Sequence, residues 1–387
     1  MDLHERLKRR KQSGAHSKSP TIPERMVREA SVFGFELQDG GFFRRKLVRN
    51  SSIDSADLLR SLASLSMMQI GTQRVSSTAA PDGALLFYDT ETTGLSSGAG
   101  TLCFLIGWAE LRGQEVCLTQ VLLPDLGLER GMLRYVSSAL SQASMLFSYN
   151  GRSFDRQILQ TRLSMNGMAT TLAPEYDLLY PTRGLFARRL PSCRLAQVEE
   201  SVLGITRELD VPGAEAPERY FAWLRGGGGD PMEAVVAHHE QDIVSLVELA
   251  GLLGQLVSGS RTSPYLDGCG LGRGLMIAEP ERAIGILEAC VQSPDADVDE
   301  RRRSALILAG MHRRNQRIMR QAAVLRYAWE ELQLPQIGEA LASCLEHRLG
   351  RRDAALHVAE ASLEKLESGL TGIRSRSQLE RHRNSLL

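Results

Sequence analysis

Two carboxylates, one residue apart, close an apolar run in LLFYDTETTGLSS, residues 85–97. In an extended chain the side chains alternate, so Asp89 and Glu91 share one face and Thr90 takes the other. Phe87 falls in register beneath them, toward a core. Like charges at that spacing repel, and burial adds the cost of stripping their water. A divalent cation would turn that cost into attraction, and hard carboxylate oxygens suit Mg²⁺ or Mn²⁺. A solvated turn opening on Thr-Gly would relieve the same repulsion without a cation. The pair alone does not choose between the two.

Further acids stand at two later places. FSYNGRSFDRQIL puts Asp155 just after an apolar strand and near a helix start. On its own it reads equally as a first-turn acid favoured by the helix terminus. HHEQDIVSLVELAGLL puts Asp242 in an otherwise apolar helix whose buried side carries Ile243, Leu246 and Val247. His238 lies four residues before Asp242, one turn away on the same face, whereas His239 is about 100° around. Such a pair also occurs as a plain surface His-Asp contact.

Taken together, the three segments resemble the ribonuclease H-like 3′–5′ exonuclease superfamily, whose active site is four carboxylates in three motifs. Asp89 and Glu91, followed by Thr-Thr-Gly, match its Asp-x-Glu. Asn150, Phe154 and Asp155 match its Asn-x-x-x-Phe-Asp. Asp242 matches the Asp on its late helix. The match is closer to a bacterial YprB-type branch, through DLLYPTRGLFARRLPSCRLAQVEESVLGI at 177–205 and ERYFAWL at 218–224. It covers residues 84–257. Proofreading-type relatives place a His five residues before the last Asp, where this chain has Ala237. A second class places Tyr four before it, where this chain has His238. The YprB-type branch tends to His-Asn at 238 and 239, and here the pair is His-His.

The resemblance implies phosphodiester hydrolysis at two Mg²⁺ or Mn²⁺ ions, about 3.5–4 Å apart and bridged by Asp89. Glu91, Asp155 and Asp242 would complete the ligand set, and His238 would accept the proton of the attacking water. Thr92, Thr93 and Gly94 would form the turn beside a terminal nucleotide, where backbone N–H groups meet phosphate. Tyr149 and Asn150 could touch a base or sugar. Arg183, with Arg188 or Arg189, could line the path of a phosphate backbone, or be simple surface arginines. The expected partner is the single-stranded end of DNA or RNA. The rival reading is a nucleic-acid- or protein-binding module that keeps the fold with little activity, and a third puts the main work in a helical scaffold.

The elements that must position these residues follow from the patterning. ALLFYDTE, GTLCFLIGWAEL and EVCLTQVLL read as consecutive antiparallel strands, and SMLFSYN as a fourth. GLERGMLRYVSSALSQ, FDRQILQTRLSMNG and the long stretch from DPMEAVV onward read as helices. The expected fold is α/β: a ribonuclease H-like mixed five-stranded sheet flanked by helices, then an all-α region resembling tetratricopeptide repeats. Expected boundaries are a basic flexible arm at 1–30, a small preface at 31–83, and the exonuclease-like domain at 84–257. A Gly-rich linker follows at 258–279, then helices at 280–370 and a disordered tail at 371–387. In the helical region Ala283, Leu287 and Cys290, then Ala354, Val358 and Ala361, recur at the spacing of close-packed helices. That region is a candidate surface for a protein partner.

Composition narrows the class without naming it. The 387 residues carry zero formal net charge and 43% apolar side chains, enough for a large core. Only five basic residues are Lys and the other 41 are Arg. Six scattered cysteines without a CxxC pair point to a reducing cytoplasm. No apolar run approaches the length of a membrane span, and the charged N-terminus lacks the pattern of a signal peptide.

Overall fold

The computed structural model describes residues 21–68, 83–94, 100–207, 213–367, 380 and 383–384. Most of the expected arm and tail lies outside these. The chain divides into two compact units. Residues 1–55, 78–177 and 207–248 make the first, and residues 56–77, 178–206 and 249–387 make the second.

The first unit is built on a mixed sheet that, among the described residues, has seven strands. These are β1 (Glu36–Gln38), β2 (Phe42–Asn50), β3 (Leu85–Thr92), β4 (Cys103–Arg112), β5 (Glu115–Leu122), β6 (Met145–Ser148) and β7 (Glu175–Asp177). Their order is β1-β2-β5-β4-β3-β6-β7. The five expected strands are β3 to β7, and β1 and β2 from the preface extend the sheet. β2 pairs antiparallel with β5 along its whole length, from Phe43 opposite Leu122 to Asn50 opposite Glu115. β6 and β7 run parallel to β3, and the others alternate in direction.

Helices cover both faces of the sheet. On one face α3 (Glu129–Gln142) and α4 (Asp155–Met165) pack Met132, Val136, Ile158 and Leu159 against Leu86, Tyr88 and Ile106. On the other, α1 (Glu24–Val32), α7 (Ala216–Leu224) and α8 (Asp230–Ser258) pack Met26, Tyr220, Trp223 and Val235 against Phe43, Phe104 and Leu122. Residues 24–30 were expected in a mobile arm. They are helical because Met26 and Ala30 fall on one side of the turn and are buried. β4 is buried along nearly its whole length, as a strand with helices above and below must be.

The second unit is helical: α2 (Ser55–Met67), α5 (Leu179–Phe186), α6 (Leu195–Val198) with a π turn at Glu199–Leu203, then α9 (Gly268–Leu275), α10 (Pro280–Gln292), α11 (Val298–Arg314), α12 (Ile318–Leu332), α13 (Pro335–Leu349) and α14 (Arg352–Glu367). From α9 onward each helix packs on the next, and α11 also touches α9 and α13, so the helices stack as successive hairpins. The segment expected as a Gly-rich linker contains α9. Asp267 caps it by accepting from Gly270 N. Its glycines are needed for close approach: a Cβ on Gly270 would lie 2.0 Å from Gly184 O. In α14 the buried positions include Ala355, Val358, Ala359, Ser362, Leu363 and Leu366, while Ala354 is exposed, so of the expected Ala354, Val358 and Ala361 only Val358 is fully buried.

Candidate active site

The C-terminal ends of two adjacent parallel strands, β3 and β6, frame the site. This is the edge of an open α/β sheet where ligands bind. Asp89 stands opposite Gly107 of β4, and Glu91 opposite Leu105. The pairing slips by one residue between Glu91 and Thr92. Beyond the slip the turn is held locally. Thr92 Oγ1 donates to Gly94 O at 2.8 Å, Thr93 N to Leu102 O at 2.9 Å, and Leu102 N to Thr93 Oγ1 at 3.0 Å.

Asp155 arrives from the other strand. β6 ends, Asn150 takes the left-handed backbone conformation at φ 64, and α4 begins on Asp155. Asn150 N donates to Asp177 Oδ1 at 2.8 Å, which ties the turn to the end of β7. The Asp155 carboxylate is buried and accepts a short hydrogen bond from Thr90 Oγ1. Thr90 points away from Asp89 and Glu91, as strand alternation requires, and it uses that position to hold the third carboxylate.

α8 brings the rest. Glu91, His238 and Asp242 form a cluster whose ligand atoms all lie within 4.8 Å of one another. His238 Nε2 is 3.4 Å from Asp242 Oδ2. Arg207, which the sequence did not single out, donates to His238 Nδ1 at 2.8 Å and pairs with Asp242 Oδ1. A lone Arg between two helices carries no local signal that would mark it.

The electrostatics tie all four carboxylates together. Burial raises the Asp89 carboxyl well above the ordinary range, and the charges of Asp155, Asp242 and Glu91 raise it further. Burial pushes Glu91 up to about 8, with Asp242 and Asp155 adding to it and Arg207 opposing. Asp155 is raised to about 7, chiefly by burial, against the Thr90 hydrogen bond. Burial and mutual repulsion thus disfavour the charged forms of Asp89, Glu91 and Asp155, a cost that a bound cation would relieve.

These residues fit a divalent metal. Carboxylate oxygens of Glu91 and Asp242, with the His238 imidazole beside them, are donors that a divalent cation can take. The Arg207 guanidinium, already drawn to Asp242 and His238, marks where positive charge is wanted.

His239 lies one residue from the cluster and faces the sheet. It is fully buried, with Nδ1 2.7 Å from Gln120 Nε2 and Nε2 3.1 Å from Asp89 O. Burial lowers its pKa to about 3, so the ring is neutral. The sequence signal for this contact was a Gly and a Gln inside otherwise apolar strands.

The remaining expected residues are dispersed. Tyr149 is half-buried and Asn150 exposed beside the β6 turn. Arg183 is exposed on α5, in the second unit. Trp108, Trp223 and Trp329 are buried in cores and offer no stacking surface.

Comparison with known proteins agrees with this architecture. The RNase_H superfamily matches residues 86–254. "Uncharacterized protein YprB" of Bacillus subtilis (strain 168) is 31% identical over 292 residues, covering 72% of this chain and 69% of its own. Among solved structures, the family B DNA polymerase of the archaeon Pyrobaculum calidifontis is 13% identical, with a TM-score of 0.37 over 52% of this chain and 30% of the polymerase. A likeness that slight says nothing about function. The superfamily match spans the carboxylate-bearing strands and α8, and the Bacillus relative extends the likeness over most of the chain: the protein belongs to the RNase H superfamily, as a YprB-type member.

Proposed function

We propose that this protein is a metal-dependent nuclease that hydrolyses phosphodiesters, acting as a 3′–5′ exonuclease on single-stranded ends of DNA or RNA in the cytoplasm. One observation carries the proposal: the charges of Asp155 from α4 and Asp242 from α8 fall close enough to the buried Asp89 and Glu91 of β3 to add to the rise that burial gives those two carboxyls. The nuclease chemistry of RNase H-like folds and the motif order support it.

In this reading Asp89, Glu91, Asp155 and Asp242 hold two Mg²⁺ or Mn²⁺ ions, which when bound supply Lewis acidity and lower the pKa of water. Thr90 keeps Asp155 turned inward. His238 is the proton acceptor. Because Arg207 can only donate, the nitrogen it meets, Nδ1, is the basic one, and Nε2 faces Asp242 Oδ2. Asp242 thus orients the imidazole as a carboxylate does in other catalytic His pairs. Arg207 sits on Nδ1 and on Oδ1 of Asp242, the two atoms the reaction needs. It must yield both, and is then free to meet a phosphate oxygen. The turn at Thr92–Gly94 and residues Tyr149 and Asn150 border the position of a terminal nucleotide. The helical second unit is left for a protein partner.

The test uses 3′-labelled single-stranded DNA and RNA, with Mn²⁺ or Mg²⁺ and with chelator. The expected result is metal-dependent shortening from the labelled end, lowered more than ~100-fold in Asp89→Ala. Shortening that survives that substitution refutes the site. No shortening of either substrate favours a binding module.

A further inference from the structure

A polar row crosses the sheet behind Asp89, and the hydrolysis described above does not use it. Arg45 of β2 stands beside Gln120 of β5, Gln120 beside Gly107 of β4, and Gly107 beside Asp89 of β3. His239 of α8 occupies the slot over Gly107, where a Cβ would come within 2.7 Å of its Cε1.

The proton positions follow from the chemistry of the donors. A guanidinium only donates, so Arg45 Nε fixes Gln120 Oε1 as its acceptor at 2.5 Å. The amide therefore turns its Nε2 to His239 Nδ1 at 2.7 Å and to Val236 O at 3.1 Å. Nδ1 accepts, which leaves the ring proton on Nε2. That N–H donates to the backbone carbonyl of Asp89 at 3.1 Å, and Nε2 lies 3.9 Å from Asp89 Oδ2, beyond hydrogen-bond reach. Glu240 closes the chain on Arg45 at 2.7 Å and on Arg49 at 2.5 Å.

We infer that His239 is a positioning residue: its imidazole, held in the Nε2–H tautomer by Gln120, Arg45 and Glu240, fixes the main chain at Asp89 and so the place from which that metal ligand's carboxylate projects. This role rests on Asp89 being the ligand proposed above. Each buried polar group costs stability unless it is matched, and this row is matched throughout. Here each member faces a partner of the opposite hydrogen-bonding kind, and the series ends on the first residue of the Asp-x-Glu motif. Groups that orient a metal ligand in this way are worth roughly 10–100-fold in metal affinity.

The test compares full-length wild type, His239→Leu, His239→Gln and Asp89→Ala by Mn²⁺ binding, followed by electron paramagnetic resonance, and by ¹⁵N NMR of the histidine rings. Expected are Mn²⁺ binding weakened roughly 10–100-fold in His239→Leu and recovery to within about threefold in His239→Gln, whose amide N–H replaces Nε2–H. Wild type should show a neutral histidine protonated on Nε2, and Gln120→Leu should abolish that fixed tautomer and weaken Mn²⁺ binding. Should His239→Leu not fold, the wild-type tautomer and the Gln120→Leu variant still decide. A proton on Nδ1, or Mn²⁺ binding unchanged in His239→Leu, overturns the role alone. Absence of Mn²⁺ binding by wild type overturns the nuclease reading, and the role with it.

Discussion

Glu91 holds a proton to about pH 8 where a free glutamate side chain would lose it near 4.5. Between those values the folded chain binds more protons than the unfolded one. By linkage, stability then falls with each rise in pH across that window, and the penalty is complete above about 8. Asp155 adds the same sign between its ordinary value of 3.8 and about 7. The metal-free protein should therefore melt at a lower temperature at pH 8 than at pH 5. Glu91→Gln, which cannot ionise, should flatten part of that fall. Mn²⁺ should raise the melting temperature more at pH 8 than at pH 5, because at the higher pH it meets carboxylates already charged. Thermal melts of both proteins across the range check this. An equal slope in wild type and Glu91→Gln would refute the crowded-carboxylate account. The same residues mark how far the sequence could be read. Asp89 and Glu91 stood out as a carboxylate pair closing an apolar run, whereas Asp155, His238 and Asp242 read singly as ordinary polar residues and were picked out by the resemblance of the three motifs. Arg207 and Thr90 were not, because an Arg or a Thr breaks no pattern and only a folded neighbour gives it a role.

Elements place these side chains through register, and register was the less legible level. The strand and helix identities of β3 to β6, α3, α4 and α8 followed from apolar runs and periodicity. That β2 would lie against β5, and so bring Arg45 to Gln120, did not, because pairing between distant segments leaves no local trace. Gly107 is where the consequence is sharpest. It lies mid-strand, where glycine ordinarily weakens a sheet, and it buys the room that α8 needs. A Cβ there would stand 2.5 Å from Ile243 Cδ1, 2.7 Å from His239 Cε1 and 3.2 Å from Gln120 Cγ. The isoleucine tip can swing aside, but the imidazole is held at both nitrogens. Gly107→Ala should cost about 1–3 kcal/mol by overpacking, seen in chemical denaturation. It should also weaken Mn²⁺ binding by ~10-fold or more by pushing His239 off Asp89. Lost stability with intact Mn²⁺ affinity would mean that α8 moves as a body without disturbing the carboxylates.

At the scale of the whole molecule, zero net charge means that no global field gathers nucleic acid, so any attraction for phosphate must be local. The carboxylates, His238, His239 and the Arg45–Gln120 row all belong to the first unit, while the stacked hairpins belong to the second. That division can be probed from within the second unit. Gly338 of α13 is packed against Trp329 and Ser362: a Cβ would lie 2.7 Å from the indole Cζ3 and 2.0 Å from Ser362 Oγ. Neither neighbour can give way easily. Trp329 is buried, and Ser362 Oγ is fixed on Val358 O at 2.6 Å. Gly338→Ala should therefore destabilise the hairpin stack by about 1–3 kcal/mol, lowering its melting by roughly 2–4 °C for each kcal/mol in a unit of this size. If the units are energetically separate, Mn²⁺ affinity and strand shortening should stay within about twofold of wild type. Loss of both in step with the melting temperature would instead make the helical stack part of what holds the carboxylates together. The tight Gly338 contact makes the experiment decisive, because it loads strain into the second unit without touching a charge in the first.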